Sequence, residues 1–146
     1  MKNILLSVFC LAVLVGCSQR PADMPELHSV TITVTMNGKP LEGALISCVP
    51  ENNGTWFAGG MTDVHGQVRP QTKGRYHGIP LGNFKIIVAK TGSTENSTPE
   101  KIRLVRLVHS KFGDLATTPL TCTIEKTTRS VEFNVEPAPL NDFIED

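Results

Sequence analysis

The sequence predicts an all-β fold, a seven-stranded antiparallel β-sandwich. Three observations favour it: roughly seven short strand-like segments follow one another at spacings near ten residues, none has a clear helical period, and 12 glycines and 10 prolines supply turns. A length of 146 residues fits one domain, since domains usually hold ~100–200 residues. We expect residues 28–136 to form the sandwich and residues 137–146 to form a disordered acidic tail.

The N-terminus has the pattern of an export signal. Lys2 supplies a positive charge, and an apolar run follows from Ile4 to Val15. This run is too short for a membrane span of ~20 residues and has the length of the apolar region in a secretory signal. Residues 1–16 are therefore predicted to be a signal peptide.

Cys17 stands where a lipid anchor is expected. The residues Leu14-Val15-Gly16-Cys17 resemble the lipobox of bacterial lipoproteins, which implies cleavage before the cysteine and its acylation by fatty acids such as palmitate. Several acyl chains anchor a protein firmly, at about 0.8 kcal/mol for each buried CH₂. Ser18 resembles the outer-membrane form of this signal, so residues 17–27 are predicted to be the lipidated Cys and a tether. The alternative is an ordinary signal peptide with an incidental Cys17.

Four strands are predicted in the first half of the domain. One of them alternates β-branched residues with threonine, as half-buried strands do, and Asn37-Gly38 after it predicts a tight hairpin turn. Asp63 to Gly66 predicts a second turn, because an aspartate accepts hydrogen bonds from its own backbone and glycine tolerates a positive φ. The strands are predicted at Val30–Met36, Ala44–Val49, Thr55–Met61 and Gln67–Thr72.

The second half begins with the clearest strand, Phe84–Ala89, and continues with a polar segment, Thr91–Glu100, that predicts an exposed loop. Ile102–Val108 fits a bulged strand or two helical turns, and its short length favours a strand. Leu120–Glu125 and Val131–Glu136 alternate in the manner of strands, and we expect them to pair as a final hairpin.

The charge balance excludes one class of partner. There are 14 Lys and Arg residues against 14 Asp and Glu, whereas nucleic-acid binding requires a basic surface. One Trp and one Tyr are too few for a platform of aromatic rings that stacks bases. We therefore expect no nucleic-acid partner.

Two cysteines remain in the predicted domain, Cys48 and Cys122. Each lies on the apolar side of a strand-like alternation. In an exported protein they predict either one disulfide or two buried free thiols that act as small hydrophobic side chains. A disulfide would close a loop of about 75 residues, which contributes up to ~4 kcal/mol on the chain-entropy model.

Several segments resemble the carboxypeptidase regulatory-like, or transthyretin-like (prealbumin-like), domain. The residues that carry the resemblance are Asn37–Ala44 followed by Val49–Glu51, the turn Thr62–Gln67, the connection Gly78–Ile86, and Ser110–Thr121, the last being similar to small planctomycete-type envelope lipoproteins with this domain. The resemblance covers residues 28–136. It implies a seven-stranded sandwich that serves as an accessory or adhesive module. Hydroxyisourate hydrolases and intradiol dioxygenases, two enzymes of similar fold, are excluded, because the chain lacks the Tyr-Arg-Gly-Ser ending of the first and has only Tyr76 for the two iron-binding tyrosines of the second.

No pattern of residues predicts catalysis, a metal site or a cofactor. His65, His77 and Asp63 are close in sequence, but solvated loop histidines are the simpler interpretation, because no metal-ligand spacing such as HExxH is present. Ser110 and His109 are adjacent, which does not supply the geometry of a catalytic triad. We expect a non-enzyme.

Trp56, Phe57 and Tyr76 are the candidates for a binding face. Exposed aromatic rings stack against sugars or anchor protein interfaces, although core packing is the simpler role for each of them. Taken together, the sequence predicts a lipid-anchored structural or protein-interaction module of the bacterial cell envelope, held at the membrane and bound to an envelope protein. The alternative is a carbohydrate-binding module that uses Trp56 or Tyr76.

Overall fold

The structure is a computed structural model that describes residues 20–93, 103–140 and 142–144. Within these ranges the chain forms fourteen strands and one 3-10 helix, Ser110–Phe112. The strands are β1 (Leu27–His28), β2 (Thr31–Met36), β3 (Lys39–Pro40), β4 (Leu45–Pro50), β5 (Ala58–Met61), β6 (Gln67–Val68), β7 (Gln71–Thr72), β8 (Tyr76–His77), β9 (Ile79–Pro80), β10 (Gly82–Ala89), β11 (Thr91–Ser93), β12 (Leu104–Arg106), β13 (Thr121–Ile124) and β14 (Ser130–Val135).

Six strands form the larger sheet, in the order β13-β10-β4-β5-β7-β8. Every neighbouring pair in it is antiparallel. Strand β10 lies near one side of the sheet and pairs with β4 over six residues, from Phe84 opposite Pro50 to Ala89 opposite Leu45. This long pairing fixes which side chains of β4 and β10 share a face, because side chains alternate between the faces of a sheet.

The smaller sheet is built around β2. Strand β14 pairs with one side of β2, and β3 and β6 pair with its other side. The β2–β14 pair is parallel, with Ser130 opposite Thr31 and Val135 opposite Met36. Ile32 and Val34 of β2 are buried between half-buried threonines, so one face of this sheet packs inward and the other faces solvent.

The two sheets enclose one hydrophobic core. It consists of alternating side chains from both sheets, and Phe112 of the 3-10 helix adds to it. Its buried members are Val30, Ile32, Val34, Leu41, Ala44, Ile46, Cys48, Ala58, Val68, Ile79, Phe84, Ile86, Val88, Val108, Phe112, Ile124 and Val135. The buried threonine hydroxyls are hydrogen-bonded. That of Thr62 donates to the Leu41 carbonyl at 2.5 Å and accepts from the Ala44 N–H at 2.8 Å, so these three polar groups are buried with hydrogen-bond partners.

These features confirm the predicted fold class, an all-β sandwich, with antiparallel pairing throughout the larger sheet and one parallel pair, β2–β14, in the smaller one. The predicted turn at Asn37-Gly38 is confirmed as well, with φ of 53° and 75° at the two residues, and it joins β2 to β3. The segment Ile102–Val108 contains strand β12, as its length favoured. Thr91–Ser93 of the predicted exposed loop forms strand β11 and pairs with β12; residues 94–100 of that loop lie outside the described residues.

The predicted final hairpin is wrong. Strand β13 pairs with β10 in the larger sheet, whereas β14 pairs with β2 in the smaller one. The connection between them crosses from one sheet to the other and is held by its own hydrogen bonds, among them Glu125 N–H to the Thr128 hydroxyl (3.0 Å). Alternation identifies a strand but not the sheet that it joins, which explains the error.

One predicted strand is divided in two. Gln67–Thr72 becomes β6, which pairs with β2, and β7, which pairs with β5. Pro70 lies between them and is buried. Because proline has no N–H to donate to a ladder, it ends one strand at the point where the chain passes to the other sheet.

The predicted disorder of residues 137–146 is wrong for the part that the structure describes. Asp142 to Ile144 run along β12, where the Arg106 N–H donates to the Asp142 carbonyl and the Ile144 N–H to the Leu104 carbonyl (2.9 and 3.0 Å). The Arg106 guanidinium also pairs with the Asp142 carboxylate at 3.0 Å. Strand β12 therefore gains a second neighbour on the side away from β11.

Candidate functional site

The outer face of the larger sheet carries several apolar side chains, with Ser47 and Lys85 beside them. In β4, Ile46 and Cys48 are buried, so Leu45 and Val49 point away from the core. Leu45 lies between Ala89 of β10 and Met61 of β5 in one cross-strand row. Leu45 is 52% exposed and Met61 is 66% exposed.

The neighbouring rows extend this apolar surface. Ser47 lies between Ile87 and Gly59 in the next row. The pairing of β5 with β7 continues to Phe57, whose carbonyl accepts from the Lys73 N–H at 2.9 Å, so Phe57 faces the same side as Gly59; it is 52% exposed. We call the following set the apolar patch: Leu45, Val49, Phe57, Met61, Ile87 and Ala89.

The outer face of the smaller sheet has the opposite character. Thr31, Thr33 and Thr35 of β2 alternate with buried residues, and they lie opposite Ser130, Glu132 and Asn134 of β14. The Thr35 hydroxyl donates to Asn134 Oδ1 at 3.0 Å. A sheet with one solvated face has this polar composition, whereas a contiguous exposed apolar surface marks a site of interaction. The apolar patch is thus the candidate functional site.

The sequence contained a signal for the apolar patch. Ala44–Val49 and Phe84–Ala89 carry apolar residues on both faces, and such runs are typical of strands that are covered on both sides. The structure covers only one side. Phe57 is the single member of the apolar patch that the sequence named as a binding candidate.

Trp56 lines a small cavity that is separate from the apolar patch. The side chain is half-buried, and Lys73 Nζ lies 4.1 Å from the centroid of its ring, a cation–π contact. A cavity of about 190 Å³ beside it is also lined by Asn52 and Asn83 and by three prolines. That volume is below the ~300 Å³ of most small-molecule sites, so only a group as small as one sugar ring fits.

Tyr76 does not share the Trp56 cavity. It lies in β8 at the edge of the larger sheet, opposite Thr72, and is half-buried. The described lining of the Trp56 cavity does not include it. The cavity beside Trp56 is thus lined by one of the two aromatic residues that the sequence named as candidates for a ligand face.

Cys48 and Cys122 are free thiols, the second of the two states that the sequence left open. Cys48 pairs with Ile86 on one side of β10, and Cys122 pairs with Phe84 on its other side. Their strands are two spacings apart, roughly 9–10 Å, and disulfides require Cα atoms within ~7 Å. Burial raises the pKa of the Cys48 thiol to about 12 and that of Cys122 to about 11.

We expect both thiols to resist alkylation in the folded protein. In residues 18–146 they are the only cysteines, and with thiol pKa values of about 12 and 11 their reactive thiolate forms are scarce at pH 8. Iodoacetamide labelling followed by mass spectrometry should be at least ~100-fold slower than in the same chain unfolded in urea. An unfolded, unreduced chain that takes up no label would instead show a disulfide.

Three polar side chains of the loops accept hydrogen bonds from backbone N–H groups. Asp63 Oδ1 accepts from the N–H groups of His65 and Gln67, both at 2.9 Å, and these bonds, that of Gln67 foremost, lower the pKa of Asp63. His109 Nδ1 accepts from the Lys111 N–H at 3.2 Å. Asp114 Oδ1 accepts from the Ala116 N–H at 2.6 Å. The carboxylates shape turns, and among the described residues no three His, Cys, Asp or Glu side chains are grouped to hold a metal.

The predicted anchor, Cys17, and the signal peptide at residues 1–16 lie outside the described residues. In the described ranges no helix has the length and apolar character needed to cross a membrane.

Comparisons with known proteins give similarity of fold only. No protein-family model and no curated protein match the chain. It is similar to the major pilin subunit of Bacillus cereus, with 17% identity over 80% of this chain and 31% of that one, at a TM-score of 0.49. It is also similar to a protein named as a candidate adhesin of Bacteroides ovatus, with 18% identity over 85% of this chain and 49% of that one, at a TM-score of 0.44. The chain thus spans about a third and about half of these two proteins, and at these TM-scores neither similarity bears on function.

Proposed function

We propose that this protein is a non-catalytic structural or protein-interaction module of the bacterial cell envelope, tethered to the membrane by lipid on Cys17. The observation that carries the proposal is the asymmetry of the sandwich. One outer face is covered with threonine, serine and asparagine, whereas the other presents the apolar patch to solvent. The resemblance of the sequence to carboxypeptidase regulatory-like domains supports the same function.

The apolar patch is suited to a protein rather than to a small molecule. Its members are spread across β10, β4 and β5 with the residue before it, around the small residues Ser47 and Gly59, which is the footprint of a protein surface rather than of one small molecule. When another surface covers an apolar surface, the free energy falls by about 25 cal/mol for each Å² of apolar area removed from water. Leu45, Phe57 and Met61 are exposed and large enough to anchor such an interface.

The proposed tether would determine the place in the cell where the domain meets its protein partner. Lipid on Cys17 would hold the chain at the membrane, and Ser18 resembles the outer-membrane form of the signal. Residues 17–27 would separate the acyl chains from β1, so the domain would stand close to the membrane surface. We therefore propose an envelope protein as the partner and the outer membrane as the location.

The proposal is tested by cross-linking in cells from defined positions. A photo-reactive amino acid at Met61 in the full-length protein should give one recurrent cross-linked protein, because Met61 lies in the apolar patch. The same probe at Thr33, on the polar face, is the matched control and should give at least ~10-fold less of that product. Leu45→Ser together with Phe57→Ser should reduce the Met61 product by a similar factor, since interface anchors contribute ~1–2 kcal/mol or more each. Equal cross-linking from Met61 and Thr33 would contradict the proposal.

Carbohydrate binding is the second candidate, and the Trp56 cavity favours it. Its lining combines an aromatic ring with the side-chain amides of Asn52 and Asn83, groups that stack on and hydrogen-bond to sugars. Recovery of envelope glycan with no enriched protein, lost in Trp56→Ala and kept in Tyr76→Ala, would support this function and displace the first.

A further inference from the structure

A second surface feature lies at the start of β2, on the polar side of the molecule. An open cavity of about 530 Å³ is lined there by Leu27, His28, Ser29, Thr31, Arg69 and Arg129. We call it the arginine groove. Among these lining residues are two cations and two hydroxyl groups, and no carboxylate.

The fold brings the two arginines together from distant parts of the chain. Val68 of β6 lies opposite Ile32 of β2. Because the two strands are antiparallel, the next residue, Arg69, lies beside Thr31. On the other side of β2, Ser130 lies opposite Thr31, and the Thr31 N–H donates to the Arg129 carbonyl at 2.9 Å. Arg69 and Arg129 thus flank one residue of β2, and both residues line one groove.

Neither guanidinium forms an ion pair with another described residue. The ion pairs in the described part of the chain join Arg106 to Asp142 and Lys111 to Glu136. Arg129 Nη1 donates to the carbonyls of Lys126 and Thr128 at 2.8 and 3.4 Å, which orients the group and leaves its other N–H donors available.

One carboxylate that could compete for Arg69 lies in an adjoining cavity. Asp63 lines that cavity, which shares Thr31 and Arg69 with the arginine groove. Asp63 Oδ1 is already taken by two backbone N–H groups. In the wall of the groove, His28 Nε2 is buried and has no hydrogen-bond partner among the described residues. This nitrogen is closed to solvent, so the capacity of the groove to bind a ligand depends on Arg69, Arg129, Ser29 and Thr31.

We propose that the arginine groove binds a tetrahedral oxyanion, a phosphate or sulfate group. Guanidinium presents paired N–H donors that match the oxygens of such a group, and the hydroxyls of Ser29 and Thr31 add donors of their own. The site is separate from the apolar patch, and its existence does not rest on the proposed function.

Two sources of the same chemistry are available, a phospholipid headgroup and a soluble phosphate. Leu27 follows Cys17 by ten residues, and ten extended residues span at most ~35 Å. If Cys17 is lipidated as proposed, the groove lies within reach of the phosphates of the membrane surface. Binding there would orient the domain on the bilayer.

The test begins with inorganic phosphate as the probe. Residues 18–146 hold every described strand and the whole core, so this chain is expected to fold. Its amide NMR signals should shift saturably at Ser29 and Thr31 when phosphate replaces chloride at constant ionic strength. Arg69→Gln and Arg129→Gln should each weaken binding about 10-fold, because each removes charge-assisted hydrogen bonds. Arg75 is an exposed arginine in the turn between β7 and β8. Arg75→Gln is therefore the matched control and should change the affinity for phosphate less than ~2-fold.

Vesicles distinguish the sources. Binding to phosphatidylglycerol vesicles that is lost in Arg69→Gln and kept in Arg75→Gln assigns the site to a lipid headgroup. Phosphate binding without vesicle binding assigns it to a soluble oxyanion. No saturable shift with phosphate and no vesicle binding that depends on Arg69 would overturn the proposal, as would an equal loss in Arg75→Gln, which would show a general effect of charge.

Discussion

Replacing Phe84 by alanine is expected to lower the free energy of unfolding by about 3–5 kcal/mol, the usual cost of emptying a buried phenylalanine site. Phe84 is 2% exposed and lies in β10 between Cys122 of β13 and Pro50 of β4. Its ring therefore packs where three strands of the larger sheet meet the core. A small domain has only about 5–15 kcal/mol of stability in total, so the variant should unfold at much lower urea concentration.

Phe57→Ala is the matched control for Phe84→Ala. The chemical change is the same, but Phe57 is half exposed in the apolar patch, so the free energy of unfolding should change by less than ~1 kcal/mol. Urea titrations followed by circular dichroism measure both. Similar losses in the two variants would show that Phe57 is part of the core, and would remove it from the interaction surface.

Some elements of the fold follow from local sequence patterns, whereas others depend on pairing between distant segments. Local patterns are sufficient for β2, for the Asn37-Gly38 turn and for β10, because alternation and turn chemistry are written within a few residues. They are not sufficient for the partner of β14. Its alternation is equally satisfied by pairing with β13 and by pairing with β2, and the choice depends on how two sheets close over one core.

The candidate sites depend still more on long-range pairing. The row of Ala89, Leu45 and Met61 exists because β4 pairs with both β10 and β5, and no single segment displays it. Arg69 and Arg129 are neighbours only because β6 and β14 flank β2. Residue type did identify Trp56 as a candidate, but the cavity that it lines is completed by residues distant in sequence, Asn83 among them.

Gly66→Ala is the second change with a large expected effect. Gly66 has φ of +70° and ends the turn that Asp63 begins, and the Val34 N–H donates to its carbonyl at 2.8 Å. A Cβ at this position would lie 2.5 Å from the Val34 carbonyl oxygen and 2.9 Å from the Leu41 nitrogen. Both atoms belong to the backbone of the β2–β3 hairpin region, so relief requires the strands themselves to move.

The chain offers a matched control at Gly38. Its φ of +75° is nearly the same, but a Cβ there would meet nothing within 4 Å. Gly38→Ala should therefore cost only the strain of a left-handed alanine, about 1 kcal/mol. Gly66→Ala should cost about 3 kcal/mol or more, since overpacking against fixed atoms adds ~1–3 kcal/mol to that strain. The difference between the two free energies of unfolding isolates the contact of Gly66 with β2. If the two variants lost equal stability, the turn at Asp63–Gly66 would not be pressed against β2, and the path by which the chain returns from β5 to β6 would have to be different.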